Sequence, residues 1–234
     1  MFSRYRLIIA SIVVVLLSAC GSGGGGGDAS TTPASVPTDT NIAFQSFPPG
    51  YFSTGYKETY QLTGNDTAGG TYTATVSVAT QAQTTFNGQP AIPVQSLVNI
   101  TNIGTGAFAT GTGTSYFSVD SASRMYLGFI DSDSIIHAAV SLNVIPQSAK
   151  IGDFGTVGTY TGAGESTQIM WQLTDAKNGL ANQVLSETTM ISGNLEFSEE
   201  TSYVIDQSGN RKSVTAKIYY ADSGITITLS GNKQ

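Results

Sequence analysis

The chain is poor in the residues from which most enzymes and metal sites are built. Among 234 residues there is one cysteine, one histidine and one tryptophan, and only 11% of the residues are charged. A lone cysteine, Cys20, rules out an internal disulfide. A lone histidine, His137, is the only imidazole a Ser-His-Asp hydrolase could use, and Ile135-Ile136-His137-Ala138-Ala139-Val140 carries no nucleophile-elbow glycines. With so few His and Cys ligands, no zinc site is expected. Excess positive charge is lacking as well: 10 basic residues face 16 acidic ones, a net charge of −6. Nucleic acid and anionic headgroups need clustered Lys and Arg, so neither is an expected partner. Helical periodicity is also scarce, and residues 176–186 offer only a short candidate helix.

The one long apolar run is at the N-terminus. Arg4 and Arg6 precede Leu7–Leu17, which is almost wholly apolar. That run is shorter than the ~20 residues needed to cross a bilayer, so it reads as a secretory signal. It ends in Leu17-Ser18-Ala19-Cys20. This tetrapeptide resembles the bacterial lipobox, in which an apolar residue and two small residues precede an acylated cysteine. The resemblance implies cleavage after residue 19, two or three acyl chains on Cys20, and a membrane as the partner of that residue. Two chains hold a protein on a membrane stably, whereas one does so only marginally. Gly21 rather than Asp follows the cysteine, which within this family favours the outer membrane. Without residues 1–19 the chain has 8 basic and 16 acidic residues, a net charge of −8.

Residues 20–41 read as a tether. Gly23–Gly27 is unbroken glycine, and Ser, Thr, Pro, Ala and Asp dominate residues 28–41. Such a segment lacks the apolar surface to offset chain entropy, and as a flexible coil it would span about 25 Å.

Residues 42–234 read as an all-β body, an antiparallel sandwich or a curved half-barrel. Tyr72, Ala74, Val76 and Val78 alternate with Thr73, Thr75 and Ser77, the period of a half-buried strand. The same alternation marks Ile169, Trp171 and Leu173, then Val214–Tyr220, then Ile225–Leu229. Asn87-Gly88 is a hairpin signal, because both turn positions must accept positive φ. Ser208-Gly209-Asn210 and Ser223-Gly224 read as further turns. Pro90 and Pro93 assign their segment to an edge strand or a bulge.

Four segments recur in order and suggest a duplicated meander with halves 42–145 and 146–234. Gly50–Tyr56 is echoed by Gly152–Tyr160, and Gln61-Leu62-Thr63 by Gln172-Leu173-Thr174. Ser115-Tyr116 is echoed by Ser202-Tyr203, and Asp133-Ser134-Ile135 by Asp222-Ser223-Gly224-Ile225. Two similar domains and one pseudo-symmetric sheet both fit this pattern, and so does shared Thr/Gly/Tyr composition. Ile151-Gly152-Asp153 and Tyr219–Ile225 resemble segments of uncharacterised periplasmic lipoproteins. That likeness implies a half-barrel or sandwich and transfers no functional residue.

No catalytic residue is assigned, and no metal or cofactor is expected. His137 reads as a strand histidine with a structural or surface role. Asp131-Ser132-Asp133, with Asp120 across a hairpin, offers hard oxygens that suit calcium; an ordinary turn is the favoured reading. Glu199-Glu200 reads as a solvated strand end or turn, and nothing marks a carboxylate pair for glycoside hydrolysis. Aromatic residues cluster at Tyr51, Phe52, Tyr56 and Tyr60, and in Tyr116-Phe117, Tyr126–Phe129 and Tyr219-Tyr220. Burial between sheets is the favoured reading for them, with a ligand cavity or a glycan-stacking face as alternatives. The expected function is therefore a non-enzymatic lipoprotein with a binding or envelope-structural role. The alternative is a carrier or sensor of a small apolar ligand, which would need a closed cavity of ~300 Å³ or more.

Overall fold

The alternating segments pair with one another around a complete circuit. The computed structural model describes residues 36–234; the expected signal segment, Cys20 and residues 21–35 of the expected tether lie outside the described residues. The first half contributes β1 (Ala43–Gln45), β2 (Lys57–Asp66), β3 (Thr71–Thr80), β4 (Thr84–Phe86), β5 (Gln89–Asn102), β6 (Phe108–Ser118), β7 (Tyr126–Ile130) and β8 (Ile136–Leu142). The second contributes β9 (Ser148–Lys150), β10 (Phe154–Gly162), β11 (Glu165–Lys177), β12 (Leu180–Ile191), β13 (Asn194–Ile205), β14 (Arg211–Tyr220) and β15 (Ile225–Lys233).

Twelve of these strands form an antiparallel up-and-down barrel in the order β2-β3-β5-β6-β7-β8-β10-β11-β12-β13-β14-β15. The pairing of β15 with β2, Ile227 opposite Asp66 through Lys233 opposite Tyr60, closes it. The sheet thus goes further than a half-barrel, and closure satisfies the backbone groups that open edges would leave unpaired. β4 extends β5 as a hairpin, and β1 pairs with β9 in a separate two-stranded ribbon.

Period-2 alternation decides which face is buried. Glu58, Tyr60 and Leu62 on β2, Val76 and Val78 on β3, and Phe197, Thr201, Tyr203 and Ile205 on β13 are all buried. The intervening Gln61, Thr63 and Thr73 are exposed. An apolar inside with a polar outside is the reverse of a membrane-spanning barrel, whose outer band is apolar. Among the described residues, no helix is long and apolar enough to cross a membrane.

Several local expectations hold, and others change. Asn87 and Gly88 have φ of 48° and 76° and join Phe86 to Gln89 in a two-residue turn. Residues 176–186 are not helical. Lys177, Asn178 and Gly179 all take positive φ, forming a tight turn that feeds β12. Pro90, paired with Thr85 of β4 alone, lies at the one-sided start of β5 as expected, whereas Pro93 lies beyond the point where β6 starts to cover the strand. Pro93 sits where its partner changes from β4, which ends opposite Ala91, to β3, which starts opposite Val94.

The ring contains six strands from each half, and β1 and β9, which precede the two sets, pair with each other. Gly50–Tyr56 leads into β2 as Gly152–Tyr160 runs into β10, and Asp133–Ile135 leads into β8 as Asp222–Gly224 leads into β15; with Ser115-Tyr116 on β6 and Ser202-Tyr203 on β13, these three echoes keep the same place in each set. Gln61-Leu62-Thr63 on β2 and Gln172-Leu173-Thr174 on β11 do not. One hydrophobic core draws on both halves, so the halves are not separate domains.

The two barrel ends differ. At one end lies an irregular plug, residues 43–56. Phe44 and Tyr51 are buried, and Phe47 and Phe52 pack against the core. Thr80 Oγ1 donates to the Tyr51 carbonyl, and the Arg124 guanidinium lies 4.1 Å over the Phe52 ring. Residues 36–38, within the segment expected to be tether, are strapped to the same end. Val36 N–H donates to Asn178 Oδ1 at 3.1 Å, and Thr38 Oγ1 donates to the Leu180 carbonyl at 3.0 Å. The opposite end is closed by short turns, including Ala163-Gly164 and Ser192-Gly193.

Gly128 on β7 has φ of 143°, and a Cβ there would meet the His137 carbonyl oxygen at 2.3 Å and the Phe86 ring at 2.8 Å. Gly128→Ala should therefore cost about 2–3 kcal/mol from strain and overpacking. Denaturant unfolding would measure the loss, and a change below 0.5 kcal/mol (about the noise of a surface substitution) would contradict this reading.

Candidate functional site

Away from the plug, the barrel interior becomes acidic. β8 turns His137 inward beside Gly162 of β10, where a Cβ would meet the imidazole at 3.2 Å. Phe129, directly opposite on β7, stacks on the imidazole at 4.3 Å with the planes 5° apart. His137 is only 2% exposed, so its role is internal rather than at the surface.

Asp131 belongs to the β7–β8 turn. Its Oδ1 accepts the backbone N–H groups of Asp133 and Ile135, both at 2.9 Å, while Oδ2 lies 3.1 Å from His137 Nε2. The turn expected at Asp131-Ser132-Asp133 is thus real, and it also aims one carboxylate oxygen into the barrel. Burial pushes the Asp131 carboxyl up, but His137 and the two backbone donors outweigh burial and hold it below its ordinary range. Asp120 does not join it. Asp120 caps the Ala122-Ser123 turn at the plug end.

Three further acids face the same interior. Glu165 at the start of β11 has Oε2 3.9 Å from His137 Nε2. Asp131, His137 and Glu165 each offer a ligand atom within 4.8 Å of the others. Glu187 on β12 and Glu199 on β13 are directly opposed in register, and both are buried. Glu199 is therefore not a solvated strand end: it lies in mid-strand, in phase with Phe197 and Tyr203. Burial first, then the nearby Glu187, pushes its carboxyl up to about 8. Its Oε1 accepts from Thr201 at 2.8 Å, whereas Oε2 is buried without a hydrogen-bond partner. Glu200, the next residue, faces outward and is half-buried.

A void of about 10 Å³ lies among Phe129, Asp131, His137, Glu165, Thr167, Glu187, Thr189 and Phe197. Such a void accommodates one water-sized species; an organic substrate is far larger. Thr167 and Thr189 line it with hydroxyls that hydrogen-bond each other at 2.9 Å.

The middle of the barrel is filled by its own rings. Phe52 of the plug packs on Phe117 at 5.1 Å, Phe117 on Tyr126 at 5.1 Å, and Tyr126 on Tyr160 at 5.1 Å. Tyr126 reaches Phe129 at 6.2 Å, and Phe129 carries His137. An apolar-ligand carrier would have to keep this volume open. Tyr116, by contrast, points outward and stacks on Phe86 at 4.2 Å. A shallow groove of about 380 Å³ lies on the plug side, where Phe154 and Trp171 flank β9. It opens to solvent instead of entering the barrel.

Near the plug a second polar cluster gives its buried acid two cations. Buried Glu58 pairs with buried Arg211, with Lys233 Nζ at 3.2 Å and with the Tyr56 hydroxyl at 2.8 Å. Arg211 also lies over the rings of Tyr203, at 4.0 Å, and Tyr51, at 4.9 Å. This arrangement anchors the plug.

The alternation rule carried a signal for the acidic cluster. Glu165 is in phase with Ile169 and Leu173, Glu187 with Thr189, and Glu199 with Phe197 and Tyr203. An acid at an inward position breaks the apolar pattern, and several such breaks converging in space mark a site.

No protein-family model and no curated protein matches the chain. Among solved structures, it is similar to a candidate lipoprotein from Parabacteroides distasonis at 9% identity and a TM-score of 0.31. The match covers 81% of this chain and 97% of that one. A superposition that loose shows neither common ancestry nor a common role.

Proposed function

We propose that this protein is a lipid-anchored lipoprotein of the outer membrane, whose β-barrel is held on a short tether and performs a non-enzymatic binding or envelope-structural role. One observation carries the reading: Leu17-Ser18-Ala19-Cys20 closes a signal-like apolar run and opens a glycine-rich segment. The barrel is compatible with it. Its polar outer face suits water rather than lipid, and Val36 enters at the plug end, so a membrane anchor would leave the opposite end pointing away. The barrel interior is occupied by aromatic side chains, which directs any partner to the outer face or the barrel ends.

Cell fractionation of the wild type and Cys20→Ala tests the anchor. The wild type should sediment with the outer membrane and carry diacylglyceryl and acyl mass on an N-terminal Cys20 peptide. Cys20→Ala should lose that mass and the membrane association it confers. A wild-type Cys20 without lipid mass, together with a variant that sediments unchanged, would overturn the reading.

A further inference from the structure

We propose that Asp131, His137 and Glu165 form a buried site for one divalent first-row transition cation such as zinc, at the barrel end remote from the plug. Three independent features converge on that point. The first is ligand geometry. Bonds of about 2.1 Å from one ion hold neighbouring ligand atoms about 3.4 Å apart in a tetrahedron. His137 Nε2 already lies 3.1 Å from Asp131 Oδ2 and 3.9 Å from Glu165 Oε2. The Asp131 and Glu165 ligand atoms lie within 4.8 Å of each other, so an ion held by all three draws the two carboxylates together by up to about 1.4 Å, which a rotation of the Glu165 side chain supplies.

The second is preorganisation. Asp131 Oδ1 is held by two backbone N–H groups, which leaves Oδ2 for the ion. The imidazole is clamped by the parallel Phe129 ring, and its Nδ1 is buried without a partner. Its polar contacts therefore run through Nε2, towards the two carboxylates. The two backbone donors on Asp131 Oδ1 are the outer-shell hydrogen bonds by which metal sites orient a carboxylate ligand, and the Phe129 ring fixes the plane of the imidazole.

The third is unbalanced polarity. The void beside these ligands is about 10 Å³ and is also bordered by Glu187, enough for one ion or water. Next to Glu187, Glu199 keeps a carboxyl oxygen buried and without a partner. A cation at this point supplies the positive charge that Arg211 and Lys233 supply to Glu58 at the other end. Imidazole with carboxylates favours zinc or manganese over calcium, which takes six to eight oxygens.

The full chain, purified in detergent with its anchor, should be stripped with a chelator and titrated with Zn²⁺, with Mn²⁺ and Ca²⁺ in parallel. One zinc per chain should remain after desalting. The melting temperature should rise by roughly 5–10 °C at free zinc about 100-fold above Kd. The near-isosteric Glu165→Gln preserves the packing and should weaken zinc binding at least ten-fold, and His137→Asn should abolish it. Glu58→Gln, in the other cluster, should leave affinity unchanged. If His137→Asn does not fold, Co²⁺ loaded into the wild type and Glu165→Gln provides the same test, through loss of its visible ligand-field bands in the variant. Absence of stoichiometric metal would make the void a water pocket and overturn the proposal. So would unchanged zinc affinity in Glu165→Gln, or calcium binding as tightly as zinc.

Discussion

Arg211→Met should lower the unfolding free energy by about 3–5 kcal/mol, the usual cost of removing one partner from a buried ion pair. For a body of this size that is a fall of roughly 6–20 °C in melting temperature. The guanidinium does three things at once: it neutralises Glu58, caps the faces of Tyr203 and Tyr51, and thereby ties the plug to the barrel wall. Methionine fills much of the volume but leaves Glu58 with only the partly exposed Lys233 as a cation. The double variant Glu58→Leu/Arg211→Met should recover most of the loss, since an apolar pair of similar bulk often replaces a buried ion pair without cost. Denaturant melts of both variants decide the matter; a loss under 1 kcal/mol in Arg211→Met would mean the pair is energetically idle.

The same cluster sets an acid limit. Burial raises the Glu58 carboxyl, but Arg211, the Tyr56 hydroxyl and Lys233 together hold it below its ordinary value of 4.5. A carboxyl whose folded-state pKa is depressed stabilises the fold at pH above its unfolded value. That stabilisation fades as pH falls through the folded-state value. Wild-type stability should therefore decline below about pH 4.5, and Glu58→Leu/Arg211→Met should show a shallower decline over the same range.

Phe117→Ala is the second change with a large expected effect, about 3–5 kcal/mol. Phe117 is 2% exposed and touches Phe47 and Phe52 of the plug on one side and Tyr126 of the wall on the other. Its loss would open a cavity where plug and barrel meet. Tyr116→Ala, one residue earlier on the outer face, is the control and should cost about 1 kcal/mol, because it loses one exposed-side stack. Hydrogen exchange adds a spatial readout: amides of residues 43–56 should lose protection in Phe117→Ala before those of β11–β13. Equal losses in the two variants would show that the plug does not depend on this contact.

What could be read from the chain tracks the range of each interaction. Alternation at Tyr72–Val78 and Val214–Tyr220, and the Asn87-Gly88 turn, are local and visible in a window of a few residues. Closure is not local. It depends on Tyr60 meeting Lys233 and Thr80 meeting Val94, registers that no single strand encodes. The plug has no period at all, so Tyr51, Phe52 and Tyr56 were legible as an aromatic cluster but not as a stopper. Residues 176–186 misled because Leu180, Val184 and Leu185 mimic a helical stripe, while three successive positive-φ residues at 177–179 forbid a helix entry there. The acidic cluster stayed hidden because its members come from the β7–β8 turn, β8, β11, β12 and β13. It is the barrel, rather than the chain, that makes them neighbours.

The strap at Val36 and Thr38 also determines how the molecule would bear a pull. Tension arriving from the N-terminal side first meets hydrogen bonds to the 175–180 hairpin, next the three-residue ribbon of β1 and β9, and then the seated rings of the plug. The twelve-strand ring comes last in that series, through β2. None of these earlier contacts is a rung of the ring. With the proposed anchor at Cys20, a pull on it would reach these contacts one after another and load the ring, with its buried acids, last.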